Sequence, residues 1–190
     1  MAGRVIYLNG TSSAGKTSIA LALQDVLDET FIRVGVDTFI TMLPRKMFAT
    51  PTFEPAPGGG LRPVASFRDA VRRPMAGALA AMASTSDLIV DDVVNGDEWL
   101  RSVVQALAPF TVLFVGVICP LEELERRESA RGNRQVGVAR GGLALAHKQG
   151  LYDLTVDTSV MTSAECAEVI KQRLIAGPPL TAFAELRARL

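Results

Sequence analysis

The 190-residue sequence predicts an α/β protein in which helices cover both faces of a mostly parallel central sheet of about five strands. Short apolar runs alternate along the chain with longer stretches whose apolar residues recur at helical spacing. A glycine-rich turn separates the first apolar run from the first of these helical stretches. The chain is long enough for one domain with a hydrophobic core of its own.

The charge balance and the cysteine content argue against several function classes. Twenty lysines and arginines offset twenty aspartates and glutamates, so we expect no partner among nucleic acids or anionic membranes. The two cysteines, Cys119 and Cys166, have no paired spacing, which argues against a disulfide framework or a zinc cluster. We therefore expect a protein of a reducing, cytoplasmic compartment.

One stretch has to be tested as a membrane span, because Ser102–Leu121 carries no charged residue. Gln105, Pro109 and Pro120 interrupt this stretch and divide it into the end of a helix and a buried strand, Phe110–Ile118. The apolar run near the N-terminus is too short for a secretory signal. We therefore expect an α/β core at this position and no association with a membrane.

The glycine-rich turn matches the phosphate-loop pattern G-x-x-x-x-G-K-[ST]. It follows the apolar run Val5–Leu8 and precedes a predicted helix, Thr17–Leu27, and this context argues against a chance match. The two glycines let backbone N–H groups point at a polyphosphate, the lysine can reach the β- and γ-phosphates, and the threonine hydroxyl can bind Mg²⁺. The predicted nucleotide-binding residues are Gly10, Thr11, Ser12, Ser13, Ala14, Gly15, Lys16, Thr17 and Ser18.

A second strand is predicted over Phe31–Val36, and it ends at Asp37. Ligands of open parallel sheets bind beyond the carboxyl ends of the strands, where both the phosphate loop and Asp37 lie. A carboxylate at that place can orient an alcohol for in-line attack, which makes Asp37 the candidate catalytic base. Asp37 also precedes a short helical stretch, Thr38–Leu43, so a helix N-cap is the alternative interpretation.

The segment Pro44–Pro63 holds five prolines and the run Gly58-Gly59-Gly60. Such a segment cannot continue a helix or a central strand, so an irregular and mobile excursion is predicted. It is interpreted either as a disordered loop or as a flap that covers a substrate. Apolar residues in and beside it favour an acceptor with an aromatic or apolar part; they are Met42, Leu43, Met47, Phe48 and Phe53.

A third strand, Leu88–Asp92, is predicted after a helix over Ser66–Ala83. Its apolar run ends in two acids, and in nucleotide-binding proteins a carboxylate at this position holds Mg²⁺ directly or through water. Asp91 and Asp92 are therefore candidate metal ligands beside Thr17, although acids are also common at ordinary turns. The helix that follows, Asp97–Leu107, contains Trp99, for which a role as core anchor is expected.

Arginines are frequent between residues 126 and 140, after the start of a helix at Leu121. Surface ion pairs four residues apart, from Glu122 to Arg126 and from Glu123 to Arg127, account for part of this charge. Arginines around a glycine-containing hinge are also typical of a lid that closes on phosphoryl oxygens. We predict a catalytic role for Arg131 and Arg134 and a nucleotide contact for Arg127, with a solvated surface as the alternative.

The remaining elements complete the α/β pattern. His147, on a helix predicted over Leu143–Gln149, has either a structural role or a contact with substrate. Leu154–Asp157 is a last strand, and a capping box from Thr162 to Glu165 starts a helix that runs to about Ile175. The tail, residues 177–190, is expected to form a short helix that docks on this chain or on a partner.

Several of these segments together resemble chloramphenicol 3-O-phosphotransferase and its relatives. The resemblance runs from about residue 4 to residue 175, with the same order and spacing. It rests on VIYLNGTSSAGKT at 5–17, VGVD at 34–37, IVDD at 89–92, ESARGNR at 128–134 and YDLTVDT at 152–158. It implies a P-loop kinase-like three-layer fold and transfer of the ATP γ-phosphoryl group to an alcohol.

The resemblance also implies roles for individual residues. Asp37 would be the base that accepts the hydroxyl proton, Gly10–Thr17 the ATP cradle, and the arginines around Arg131 and Arg134 the lid. The sequence departs from the family pattern in Pro44–Pro63 and in 93–97, where an acceptor would be enclosed. We accordingly expect a kinase domain over 1–176, with a flap at 44–63 and a lid at about 126–140, followed by the tail.

The leading hypothesis is an ATP- and Mg²⁺-dependent O-phosphotransferase that acts on a small hydroxyl-bearing molecule, such as chloramphenicol or a related antibiotic. One alternative keeps this reaction but assigns a toxin-like or metabolic role, with a nucleotide sugar or another cellular alcohol as the acceptor. Another is a nucleotide-dependent switch that hydrolyses or merely holds ATP or GTP. The acceptor and the oligomeric state stay open at this point.

Overall fold

Five parallel strands form the central sheet in the computed structural model of the chain, which describes residues 3–131 and 135–190. In chain order the elements are β1 (Arg4–Asn9), α1 (Lys16–Val26), β2 (Phe31–Gly35), α2 (Val36–Thr41), a 3-10 helix (Arg45–Phe48), β3 (Phe53–Pro55), β4 (Leu61–Pro63), α3 (Ala65–Ala83), β5 (Asp87–Asp92), α4 (Asp97–Ala106), β6 (Thr111–Ile118), α5 (Leu121–Arg131), α6 (Val138–Ala146), β7 (Leu154–Asp157), α7 (Ser163–Ala176) and α8 (Ala182–Arg189). The order of strands in the sheet is β2-β5-β1-β6-β7.

The two faces of the sheet carry separate hydrophobic cores. On β1, Val5 and Tyr7 point into a core with α3, α4 and α8, whereas Ile6 and Leu8 point into a core with α1 and α7. This alternation follows from the two-residue period of a strand. Both faces of β1 are therefore buried, as is typical of a central parallel strand. The predicted α/β fold with helices on both faces and five parallel strands is confirmed.

The described elements differ from the predicted ones chiefly at their ends. β2 stops at Gly35 rather than Val36, and α2 begins at Val36 rather than Thr38, so Asp37 lies in the first turn of a helix. The helix predicted over Leu143–Gln149 instead spans Val138–Ala146 and leaves His147 at its carboxyl end. Among residues 3–131 and 135–190, no helix is both long and apolar enough to cross a bilayer.

The proline- and glycine-rich segment is more regular than the sequence predicts. It contains a 3-10 helix and an antiparallel hairpin of β3 and β4, which is separate from the central sheet. The turn of this hairpin uses positive φ angles at Gly58, Gly59 and Gly60, which glycine adopts without steric cost. Pro55 and Pro63 fit at the ends of so short a ribbon because a missing N–H donor is tolerated there. The expectation of a wholly irregular excursion was therefore wrong.

The tail forms α8, which packs against this chain. Phe183 lies in the core, with its ring centroid 5.7 Å from that of Tyr7 and 5.0 Å from that of Phe114. The carboxylate of Asp153 accepts hydrogen bonds from the N–H groups of Thr181 and Ala182 at the start of the helix. These contacts place the tail on the same face of the sheet as α3 and α4, over β1 and β6.

Candidate active site

The phosphate loop lies between the end of β1 and the start of α1. Gly10 permits a close backbone approach, because a Cβ at this position would lie 2.5 Å from the carbonyl oxygen of Val117. Ser13 and Gly15 have φ angles of 64° and 89°, a left-handed conformation that turns successive N–H groups to one side of the loop. Helix α1 begins immediately afterwards at Lys16, so the positive end of its dipole points at the same place.

The lysine and threonine that end the loop converge on Asp91. Lys16 is buried, donates a 2.9 Å hydrogen bond to the carbonyl of Thr11 and lies 3.9 Å from Oδ1 of Asp91. The hydroxyl of Thr17 donates a 2.5 Å hydrogen bond to Oδ2 of the same carboxylate. This contact follows from the sheet topology, because β1 and β5 pair directly and in parallel.

Asp92, the second predicted metal ligand, is fully buried on the other side of β5 and is surrounded by donors. Its carboxylate accepts hydrogen bonds from the hydroxyl of Tyr7, the guanidinium of Arg72 and the indole N–H of Trp99. Burial alone would raise the pKa of Asp92, but the charge of Arg72 and these hydrogen bonds outweigh it and lower the pKa. The carboxylate of Asp92 is thus occupied by protein groups, whereas Asp91 faces the phosphate loop.

Arg72 is the residue through which this buried network meets the cavity. Its guanidinium also donates a 2.6 Å hydrogen bond to the carbonyl of Val93 and lies 4.4 Å from the ring centroid of Trp99. The side chain is only 10% exposed, and it forms part of the cavity wall. Sequence analysis missed Arg72, because nothing local marks one arginine on an amphipathic helix as the partner of a distant aspartate.

Asp37 lies on the same cavity as the phosphate loop, in the first turn of α2, where the helix dipole favours a carboxylate. Gly35 makes the approach possible, because a Cβ there would lie 2.5 Å from the carbonyl oxygen of Asp91. Strand β2 therefore packs closely beside the acidic end of β5. The cavity brings Asp37 together with Lys16, Thr17 and Asp91, as the sequence predicts.

The rest of the cavity wall combines apolar side chains with arginines. Three elements contribute much of the apolar part: α2, the β3–β4 hairpin and α3. The apolar residues on these elements are Val36, Ile40, Phe53, Leu61, Phe67 and Val71, and the arginines of the wall are Arg62, Arg68, Arg72 and Arg131. Phe53 of the predicted flap packs on Phe67, with ring centroids 6.2 Å apart. The hairpin therefore forms one side of the cavity.

The hairpin also contacts α6, which belongs to the region predicted as a lid. The N–H of Leu61 donates a 2.8 Å hydrogen bond to the carbonyl of Gly137. The two backbones approach so closely that a Cβ on Gly141 would lie 2.1 Å from the carbonyl oxygen of Leu61. A Cβ on Gly142 would lie 2.7 Å from Oγ1 of Thr11 in the phosphate loop. The hairpin, α6 and the phosphate loop therefore contact one another at Gly141 and Gly142, where a larger residue would clash.

A buried carboxylate anchors the start of α6. Glu128, which is 1% exposed, accepts hydrogen bonds from the N–H groups of Gly137 and Ala139, at 2.7 and 2.9 Å. It thereby satisfies backbone donors that a helix N-terminus leaves unpaired. Sequence analysis included Glu128 only in the segment 128–134 and assigned it no role, because the donors from which it accepts lie nine and eleven residues away.

The predicted lid arginines occupy different places. Arg131 ends α5 and lines the cavity, whereas Arg134 lies outside the described residues. Arg127 donates to Oγ1 and the carbonyl of Thr158, at 3.0 and 2.7 Å, and Thr158 in turn donates to the carbonyl of Ala14 in the phosphate loop. Arg127 is therefore linked to the phosphate loop through Thr158.

Glu123 pairs with two arginines of its helix, Arg126 and Arg127. Hydrogen bonds from these two guanidinium groups lower the pKa of Glu123 to about 2. Of the two ion pairs predicted at a spacing of four residues, the pair of Glu123 with Arg127 is present. Arg126 instead forms an ion pair with Glu123, which lies three residues before it.

A second polar network connects the phosphate-loop strand with α6 and the loop after β5. The amide of Asn9 donates to the carbonyl of Ala146 and the hydroxyl of Tyr152, while its oxygen accepts from the N–H of Val94. His147 lies 2.7 Å from the same Tyr152 hydroxyl. Burial raises the pKa of Tyr152 to about 12, and burial together with the charge of Lys16 lowers that of His147.

The residues present fit a nucleotide polyphosphate with its magnesium ion. The loop offers inward N–H groups, and Oγ of Ser13 is buried without a hydrogen-bond partner in the described part of the chain. No group of three or more His, Cys, Asp or Glu side chains there could hold a metal alone. Thr17 and Asp91 suit Mg²⁺, which is commonly held by one or two protein oxygens and the phosphates of its nucleotide.

Comparison with known sequences shows the family to which this chain is similar. Residues 3–175 match the family described as “Chloramphenicol phosphotransferase-like protein”. Two relatives from the CDC 1551 / Oshkosh and H37Rv strains of Mycobacterium tuberculosis are each 33% identical over 200 residues. The matched region covers 98% of this chain and 89% of each relative, and both carry the name “Putative O-phosphotransferase”.

Solved structures share the fold at lower identity. The APS kinase of Mycobacterium tuberculosis, in complex with AMPPNP and APS, has a TM-score of 0.67 and 17% identity, over 91% of this chain and 98% of that one. The tunicamycin resistance protein of Deinococcus radiodurans has a TM-score of 0.65 and 22% identity, over 93% and 99%. The fold is therefore that of the P-loop kinases.

Proposed function

The chain belongs to the chloramphenicol phosphotransferase-like family and is a phosphotransferase of the P-loop kinase fold; from this premise we propose that it transfers the γ-phosphoryl group of ATP to a hydroxyl of a small molecule. One observation carries the proposal: Lys16, Thr17, Asp91 and Asp37 share a single cavity whose other walls are largely apolar. A nucleotide site and an acceptor site therefore adjoin without an intervening barrier.

In this proposal the phosphate loop and Lys16 hold the β- and γ-phosphates, and backbone N–H groups supply most of the contacts. Thr17 and Asp91 are the residues that would hold Mg²⁺. When bound, the ion neutralises charge on the phosphate oxygens. Arg131 contributes a guanidinium from the cavity wall, and we propose the same role for Arg134.

Asp37 orients the acceptor and accepts its proton. The hydroxyl oxygen of the acceptor forms a bond to the γ-phosphorus as the bond from that phosphorus to the β–γ bridging oxygen breaks. The hydroxyl proton passes to the carboxylate of Asp37, and ADP is the leaving group. Phosphoryl transfer requires mainly that the acceptor hydroxyl is positioned and that the charge of the phosphate oxygens is neutralised. In this proposal these residues supply both.

The apolar wall favours an acceptor with an apolar or aromatic body. Chloramphenicol is the first acceptor to test, because the family name carries it, and its modification would make the protein an antibiotic-inactivating enzyme. A cellular alcohol such as a nucleotide sugar is the competing acceptor. A need for ATP agrees with the expected cytoplasmic location.

Incubation with [γ-³²P]ATP and Mg²⁺ tests the proposal. Chloramphenicol, nucleotide sugars and simple polyols are supplied as separate acceptors, and the products are resolved by thin-layer chromatography. We expect label in an organic phosphate, with one ADP released for each product molecule. Release of inorganic phosphate alone, at a rate independent of every acceptor, would instead favour a nucleotide-hydrolysing switch.

A further inference from the structure

A polar atom in the cavity wall lacks a partner although it is buried. Oδ1 of Asn95 is shielded from solvent and has no hydrogen-bond partner among residues 3–131 and 135–190. Asn95 lies in the loop between β5 and α4, and it lines the same cavity as Asp37 and Lys16. A buried carbonyl oxygen without a donor is unfavourable, so native proteins rarely keep one without a reason.

The backbone that carries Asn95 is fixed by contacts that do not involve its side chain. Two residues earlier, the carbonyl of Val93 accepts a 2.6 Å hydrogen bond from Arg72. One residue earlier, the N–H of Val94 donates a 2.8 Å hydrogen bond to Asn9. The carboxamide is therefore attached to a loop whose backbone is held in place by hydrogen bonds. A residue that orients a ligand needs such a fixed backbone.

No described residue donates a hydrogen bond to Oδ1 of Asn95. Val93, Phe67 and Val71 are apolar residues of the same cavity wall, and Arg72 of that wall is engaged by Asp92 and by the carbonyl of Val93. A turn of the carboxamide toward the cavity would let a bound molecule supply the missing donor. Asp37, the proposed base, lines the same cavity, and we assign this molecule to the phosphate acceptor.

We propose that Asn95 is a specificity-determining residue for the acceptor, and that its carboxamide accepts a hydrogen bond from a neutral O–H or N–H group of that molecule. This inference rests on the proposed function, because it assumes that an alcohol binds beside Asp37. The acceptor is then a molecule with two donors on an apolar body: the hydroxyl that is phosphorylated and a second O–H or N–H that Asn95 binds. Simple alcohols with one hydroxyl lack the second group.

The test compares paired acceptors in the full-length enzyme. One series consists of chloramphenicol, 1,3-diols and N-acyl amino alcohols. In the other series the second O–H or N–H of each compound is methylated. For wild type we expect kcat/KM to be about 10- to 100-fold higher with the donor-bearing member of each pair. Asn95→Leu, which keeps the branched shape of the side chain and removes the acceptor oxygen, should abolish that preference by lowering kcat/KM for the donor-bearing compounds alone.

Two controls separate recognition from a structural role. Gln105→Leu removes a carboxamide from the exposed face of α4, outside the cavity, and should keep the wild-type preference. The melting temperature and ATP affinity of Asn95→Leu should match those of wild type. An equal loss of activity of Asn95→Leu on both members of each pair would overturn the inference, as would an unchanged preference. Transfer to no compound of either series would instead refute the proposed function, and this inference with it.

Discussion

The hydroxyl of Thr17 donates a 2.5 Å hydrogen bond to Asp91, so the end of the phosphate loop is joined directly to the acidic end of the neighbouring strand. The next residue, Asp92, faces the opposite side of the sheet, because successive side chains of a strand alternate. There it binds Tyr7, Arg72 and Trp99. Two adjacent acids therefore have different surroundings, and their substitutions should have different effects.

Asp91→Asn should impair turnover and leave the fold intact. The amide can still accept the hydrogen bond from Thr17, but it loses the charge that we assign to Mg²⁺. We expect kcat to fall by roughly 100-fold or more, and half-maximal activity to need more Mg²⁺. Initial rates measured over a series of Mg²⁺ concentrations at saturating ATP check this. A Mg²⁺ dependence identical to that of wild type would contradict the assignment.

Asp92→Asn should destabilise the protein. The substitution leaves the guanidinium of Arg72 buried beside a neutral group, and loss of one partner of a buried ion pair costs about 3–5 kcal/mol of unfolding free energy. Urea unfolding, followed by circular dichroism, measures this cost. Asp91→Asn is the matched control, since it removes the same charge one residue away, and the two variants should differ clearly in their midpoints.

The same network predicts how stability depends on pH. Burial opposes ionisation of Asp92, but Arg72 and the hydrogen bonds outweigh it, so the pKa in the folded state is below the ordinary value of 3.8. The contribution of Asp92 is complete above that ordinary value and is lost as the pH falls through the lowered one. Wild type should therefore lose more stability on acidification below about pH 4 than Asp92→Asn does. If the free energies of unfolding of wild type and Asp92→Asn fall by the same amount as the pH is lowered, this role of Asp92 is refuted.

Gly141→Ala should disturb the contact between the flap hairpin and the lid helix. The new methyl group would lie 2.1 Å from the carbonyl oxygen of Leu61, so one of the two backbones has to move. We expect kcat/KM for the acceptor to fall by about 10- to 100-fold, because displacement of the cavity wall misplaces the acceptor. Steady-state kinetics with the acceptor varied at saturating ATP measure the effect.

Gly77→Ala is the control for this substitution. Gly77 lies within α3, and a Cβ there meets no atom within 4 Å. Alanine should therefore stabilise the helix by about 0.5–1 kcal/mol without a change in kinetics. If Gly141→Ala behaves like Gly77→Ala, the contact between Leu61 and Gly141 has no role in acceptor binding.

The sequence predicts best those features that depend on local patterns of residues. The phosphate loop, the buried strands and the capping box at Thr162 each depend on residues a few positions apart. The parallel sheet then brings Thr17 and Asp91 together, because the carboxyl ends of neighbouring parallel strands meet at one edge. This is why the main nucleotide-binding residues and the candidate base could be chosen before the structure was known.

The features that escaped prediction depend on distant contacts. Arg72 and Asp92 are twenty residues apart, and the pairing of Asn9 with Val94 spans eighty-five. The hairpin within 44–63 forms where three positive φ angles and the packing of Leu61 on α6 fix a segment that has little regular propensity of its own. No local spacing encodes such contacts, so the choice between Asp91 and Asp92 needed the structure.

Asp37→Asn tests the central claim, that this residue serves the acceptor while the phosphate loop serves ATP. Asparagine preserves the shape of the side chain and one acceptor oxygen but cannot take the hydroxyl proton. Lys16→Ala is the contrasting variant, which should lose nucleotide affinity or turnover because it removes a phosphate contact.

The decisive measurement pairs calorimetric titration of Mg²⁺-ATP with single-turnover transfer of the γ-phosphoryl group by Asp37→Asn. We predict a dissociation constant for ATP close to that of wild type and a transfer rate lower by at least about 100-fold. Transfer at the wild-type rate would remove Asp37 from the chemistry and contradict the account.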